Sequence, residues 1–146
     1  MSSCELQSVA VSAGSPEFWE LLSLSVGYPT AEKMAQVRQA YREGLGRGLM
    51  VAVLDGRLVG AIGYQEGASG VEVKHLAVLP DERHSGMARA LVQALIGMFP
   101  GKEVFAETHD GAVGFYKRLG FQCDPLPPKV GRDSRWKCRR KPSVEE

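Results

Sequence analysis

The sequence predicts an α+β fold, a mixed and mostly antiparallel sheet flanked by helices, on three observations. Residues 49–54, 58–64 and 71–79 are apolar runs separated by turn residues, as consecutive antiparallel strands require. Residues 87–119 then alternate helix-patterned and strand-patterned segments, which joins a β-α-β-α unit to that meander. The chain has 146 residues, the size of one domain around one substantial core. A single domain spanning residues 1–146 is expected, with no internal repeat.

Taken in order, residues 5–11 alternate well enough for a first strand. Ser15-Pro16-Glu17 reads as a helix start, with a capping hydroxyl, proline at the first helical position and an acid in the first turn. Phe18, Leu21, Leu22 and Ser25 supply its inward face. Val26-Gly27-Tyr28-Pro29 breaks the helix and Thr30 caps the next, in which Met34, Val37 and Tyr41 recur at helical spacing. Glycines 44, 46 and 48 end it. Asp55-Gly56-Arg57 is a strong hairpin signal between the strands at 49–54 and 58–64. A turn at 67–70 leads to the long strand 71–79. Residues 87–99 are apolar on nearly every face except around Arg89 and Gln93, so this helix should pack on the sheet with little exposed. Pro100-Gly101 stops it. A short strand at 102–107 precedes a helix at 111–119, whose Ala112, Phe115, Tyr116 and Leu119 share a face and which Gly120 ends in the left-handed conformation. Residues 121–124 and 135–138 are two last strands around a proline-rich loop.

Composition excludes several classes. Hydrophobic content of 44% and charged content of 24% belong to an ordinary soluble globular chain. No apolar run approaches the roughly 20 residues that span a bilayer, and the N-terminus lacks the basic and apolar regions of a secretory signal. A cytosolic protein without membrane contact is expected. Cys4, Cys123 and Cys138 form no CxxC pair, so reduced thiols are expected. His75, His84 and His109 match no metal-ligand spacing, and no metal is expected. The net charge is +1, but residues 129–141 hold seven basic residues against Asp133, leaving the remainder at −5. A solvated basic edge is the simplest account. Nucleic-acid binding is not expected, since no recognition motif accompanies the charge.

The most informative stretch is Arg83-His84-Ser85-Gly86-Met87-Ala88, where a strand feeds a tight basic turn that becomes the first turn of a helix. The first N–H groups of a helix have no partner within it, and the macrodipole adds positive charge there, so such a turn suits a phosphate or pyrophosphate. The chain has no P-loop ending in Gly-Lys-Ser/Thr. Gly44-Leu45-Gly46-Arg47-Gly48 follows a helix and precedes a strand, the reverse of a dinucleotide fingerprint.

Together with His75-Leu76-Ala77-Val78-Leu79-Pro80 and Phe115-Tyr116-Lys117-Arg118-Leu119-Gly120-Phe121, this turn resembles the GCN5-related N-acetyltransferase family over roughly residues 50–124. The resemblance implies the acyl-CoA N-acyltransferase fold and acetyl-CoA as cosubstrate. It places the pyrophosphate on Arg83, His84, Ser85, Gly86, Met87 and Ala88, and the pantetheine arm on the backbone of Leu76, Ala77 and Val78, in a gap where the fourth strand splays from the fifth. His84-Ser85 replaces a commoner glycine-containing middle, and His109 stands where many members place an asparagine against the cofactor arm. Tyr116 corresponds to the family tyrosine and is the expected proton donor to the departing thiolate. Glu72, six positions before Val78, matches the catalytic glutamate of histone-acetylating relatives and is the expected base. Alternation puts Glu72 beside Lys74 and puts His75 on the apolar side with Val71 and Val73, as a core histidine. Glu107 and water chains are further choices for the base.

The implied activity is transfer of acetyl from acetyl-CoA to the primary amine of a small molecule, by one chain or a homodimer. A non-catalytic acyl-CoA-binding module and a protein or peptide N-acetyltransferase are the alternatives. By the same resemblance the acceptor would lie between the region including Tyr28 and the C-terminal strands, which are basic around Arg132 and Arg135.

Overall fold

The computed structural model describes residues 4–9, 16–26, 29–83, 85–131 and 134–142. Expectations for Ser15, Tyr28, His84 and Arg132 lie outside the described residues. Seven strands and four helices follow the expected order: β1 (Cys4–Val9), α1 (Pro16–Ser23), α2 (Ala31–Glu43), β2 (Arg47–Leu54), β3 (Arg57–Gly67), β4 (Gly70–Val78), α3 (Met87–Met98), β5 (Val104–His109), α4 (Asp110–Arg118), β6 (Gln122–Pro125) and β7 (Arg135–Arg140). They form one sheet of order β1-β2-β3-β4-β5-β7-β6, in which only β4 and β5 pair in parallel. The fold is the mixed, mostly antiparallel α+β architecture read from the sequence.

Local chemistry explains the joints. Asp55 and Gly56 both have positive φ, 51° and 79°, so a two-residue turn joins β2 to β3 with the twist that hairpins favour. Thr30 accepts a hydrogen bond from the Lys33 N–H through its side chain, satisfying one of the orphan donors that begin α2. Thr30→Ala should therefore lower stability by about 1 kcal/mol, read from the urea midpoint.

Each face of the sheet has its own core. Phe18, Trp19, Leu21, Leu22 and Tyr41 of α1 and α2 pack on Leu49, Val51, Ala61 and Ala77. On the other face, Met87, Leu91, Val92 and Leu95 of α3 and Tyr116 of α4 pack on β2, β3, β4, β5 and β7. Helix α3 is more one-sided than its composition suggests, since Gln93, Gly97 and Met98 are exposed. Trp19, absent from the expected inward set, is buried, whereas Met34 and Val37 are only partly so. Among the described residues, no helix is long and apolar enough to cross a membrane.

The decisive irregularity is in β4. Gly63 pairs with His75 but the adjacent Tyr64 pairs with Val73, so Lys74 is an extra residue, a β-bulge. A bulge bends its strand and changes which face the following side chains meet. Val71 and Val73 belong to the α3/α4 core; beyond the bulge Leu76 and Val78 take that side, and Ala77 joins the α1/α2 core. This corrects the alternation argument for His75, which lies on the opposite face from Val71 and Val73, against Tyr41. The same bend ends the contact with β5. Only Val71–Val104 and Glu72–Phe105 pair, and from Val73 onward β4 has no partner on its β5 side among the described residues.

Candidate acyl-transfer site

The bent β4 and the start of α3 shape two adjoining cavities. The first, about 430 Å³, is a groove bordered by Val78, Arg83, Gly86, Met87 and Ala88 from the turn and by Phe115 and Arg118 from α4. The second, about 350 Å³, fills the opening between β4 and β5 and is bordered by His75, Leu76, Glu107, His109, Phe115 and Tyr116. Phe115 is a wall of both, so the two cavities meet at α4.

The turn leads directly into α3. Gly86 caps α3 in the left-handed region with φ 85°, and nothing lies within 4 Å of where a side chain would begin. Glycine adopts this conformation without the steric cost other residues meet there. The turn closes on itself: Arg83 donates from Nε to the Val78 carbonyl at 3.2 Å, and the Ser85 hydroxyl donates to the Glu82 carbonyl. Part of the Arg83 guanidinium thus organises the turn. Arg89 and Arg118 also border the groove, against the single acid Glu82. Sequence reasoning missed Arg118, because a basic residue in a helix's last turn reads as a complement to its dipole.

In the gap, Tyr116 is buried between Phe115 and Phe121, with ring centroids 5.1 and 5.2 Å away. Burial pushes its hydroxyl further above the ordinary tyrosine range, with smaller contributions from the Cys138 and Cys123 thiols. It is a protonated phenol at any physiological pH. His109 caps α4, its Nδ1 accepting the Gly111 N–H at 3.1 Å, so its remaining proton sits on Nε2. An asparagine there would cap the helix equally well.

Glu72 lies beside Lys74, as expected. Its carboxylate is ion-paired with Lys74 at 2.9 Å, and it does not border the gap cavity, although Lys74 does. His75 does border the cavity, and its Nδ1 lies 2.6 Å from the Tyr41 hydroxyl. Burial, then the positive charges of Arg47 and Lys74, hold the imidazole down at about 4. The ring is neutral at pH 7. Gly63, the residue paired with His75, is where the Tyr41 hydroxyl sits, and any side chain there would displace it.

Three residues of the basic C-terminal stretch are engaged within the fold. Arg135 donates from Nη2 to the Glu107 carbonyl at 3.2 Å, Lys137 lies over Phe105, and Arg140 bonds the Leu119 carbonyl. Cys123 and Cys138 are free thiols that pair across β6 and β7.

The acetyltransferase (GNAT) domain family matches residues 26–136, and the chain belongs to that family. Solved structures share the fold. The ribosomal-protein-S18-alanine N-acetyltransferase from Escherichia coli superimposes with a TM-score of 0.76 at 19% identity, covering 99% of this chain and 97% of that one. A GNAT family acetyltransferase from Elizabethkingia anophelis with acetyl-CoA bound gives 0.71 at 18% identity, with 94% and 97% covered. The PaiA N-acetyltransferase from Thermoplasma acidophilum in complex with coenzyme A gives 0.68 at 16%, with 92% and 98% covered.

Proposed function

We propose that this chain is a cytosolic, single-domain, acetyl-CoA-dependent N-acetyltransferase acting on the primary amine of a small molecule. One observation carries the reading: β4 and β5 part after two residue pairs, and Phe115 stands between that opening and a groove at the N-terminus of α3. An elongated ligand with an anionic end and a narrow arm suits two such neighbouring hollows. The turn around Arg83, Ser85, Gly86, Met87 and Ala88, with Arg118 opposite, would hold the diphosphate; charge-assisted hydrogen bonds to phosphate contribute about 1.5–3 kcal/mol each. Main-chain groups of β4 around Leu76, Ala77 and Val78 would hold the arm, with His109 at its side. Both neighbours named for bound acetyl-CoA or coenzyme A share this fold.

Bound there, the cosubstrate supplies an acetyl group activated as a thioester. The protein's tasks are to bring an amine to it, accept the amine's proton and ease the departure of sulfur. Tyr116 serves the last. A thiol has a pKa of about 8.5, so a phenol of higher pKa cannot fully protonate the thiolate and acts as a hydrogen-bond donor. Its effect is accordingly modest. Tyr116→Phe should lower kcat about tenfold with little change in coenzyme A affinity, as one charge-assisted hydrogen bond predicts. Release of thiol, followed across amino acids, polyamines and alanyl peptides, tests the whole reading. Intact acetyl-CoA across that panel, with coenzyme A bound, would instead favour a binding module.

A further inference from the structure

We infer that His75, held by Tyr41, is the group that takes the proton from the attacking amine. This rests on the acyl-transfer reading above and assigns the step that Glu72 would otherwise perform. Three observations place it. The bulge at Lys74 turns His75 away from the α3/α4 core toward the α1/α2 face, and the ring borders the gap cavity together with Leu24 and Ser25 at the end of α1. Tyr116 borders the same cavity from α4, so His75 and Tyr116 flank one space from different elements. Glu72 has its carboxylate committed to Lys74 and lies outside that lining.

The assignment requires the tautomer in which the Nδ1–H donates to the Tyr41 oxygen 2.6 Å away, which leaves Nε2 its lone pair for the substrate. Tyr41 is buried, its ring packs on Trp19, and Arg47 lies 5.0 Å over it, so the phenol cannot swing away. Tyr41 is a positioning residue. The charged and titratable groups facing His75 or its cavity are Tyr41, Arg47, Lys74, Glu107, His109, Tyr116 and Arg135. Burial and the cations Arg47 and Lys74 keep the ring neutral, as a proton acceptor must be.

A base of low pKa cannot strip an alkylammonium of pKa about 10.4. The amine must arrive uncharged. Once its nitrogen bonds to the carbonyl carbon, its remaining protons become far more acidic, and a weak base suffices. The step balances: the N–C bond forms, the C–S bond breaks, one N–H proton passes to Nε2 of His75, and the sulfur leaves with the electron pair as a thiolate that Tyr116 hydrogen-bonds and water protonates.

The test is thiol release from acetyl-CoA with a free amino acid, a polyamine and an alanyl peptide as acceptors, alongside calorimetry with coenzyme A. His75→Gln should lower kcat about 10²-fold, the lower end of general-base contributions, with the coenzyme A affinity of the wild type. Added imidazole should restore part of the rate to His75→Ala, which a purely structural role would not allow. Tyr41→Phe keeps the ring, and should lower kcat less than His75→Gln while changing the nitrogen-15 signature of the His75 tautomer. In the wild type, kcat should fall through a single ionisation near pH 4, and that limb should be missing from His75→Gln. Wild-type kcat in a folded His75→Gln protein, or no imidazole rescue, overturns the assignment. Bound coenzyme A without thiol release on any acceptor overturns it too, while leaving the cofactor site intact. Absence of coenzyme A binding by the wild type removes the underlying transferase reading instead.

Discussion

Gly86→Val should reduce coenzyme A affinity by about 100-fold, or 2.7 kcal/mol, with only a small loss of thermal stability. The backbone at Gly86 has φ 85° and ψ 7°, a left-handed conformation that a β-branched residue adopts only under strain. No atom lies within 4 Å of the position a side chain would occupy, so the cost is conformational and nothing in the core is disturbed. The turn would relieve that strain by rotating, and the rotation would reorient the start of α3 against the groove. The new side chain would also stand in the groove. Gly97 provides the contrast. It too has open space around it but lies inside α3 with helical backbone, far along the helix from the groove. Gly97→Ala should raise stability by about 0.5–1 kcal/mol and leave affinity unchanged. Titration calorimetry at millimolar coenzyme A, with thermal melts beside it, reads both. Equal affinities for wild type and Gly86→Val would mean that the turn does not hold the diphosphate.

The contrast between these two glycines illustrates what the chain's letters convey. Local signals were legible: the Asp55-Gly56 turn, the Thr30 cap and the glycine opening α3 each act within a few residues, and each is where its chemistry demands. The order of elements followed from them. The candidate site was legible at its anion end, and at its gap end in Leu76, Glu107, His109 and Tyr116, but not in the place of His75. The gap end depends on one extra residue in β4, and nothing in Glu72-Val73-Lys74-His75 marks Lys74 as the bulge. Strict alternation therefore put His75 on the wrong face. Its contact with Tyr41 spans 34 positions and exists because Gly63 leaves room for the phenol, a three-way arrangement across α2, β3 and β4 that no local pattern encodes. Arg118 was overlooked on similar grounds, since its role depends on where α4 docks.

That half-buried histidine has a consequence for the whole fold: stability should drop by about 1–2 kcal/mol between pH 7 and pH 5 through His75 alone. In the unfolded chain the imidazole titrates near the ordinary value of about 6.5. In the folded chain burial, Arg47 and Lys74 hold it down at about 4. Between those values the unfolded state binds a proton that the native state does not, so acid favours unfolding. The contribution is fully present above about pH 6.5 and is lost progressively as pH falls toward 4. The limiting slope is about 1.4 kcal/mol per pH unit, reduced here because the ring borders a cavity that solvent reaches. Urea midpoints at pH 7, 6 and 5 should show a steeper acid loss in the wild type than in His75→Gln. Parallel curves would mean that His75 is as readily protonated in the folded protein as in the unfolded one. The neutrality that costs stability in acid is the property a proton acceptor facing the gap needs, so both expectations depend on the same burial against Tyr41.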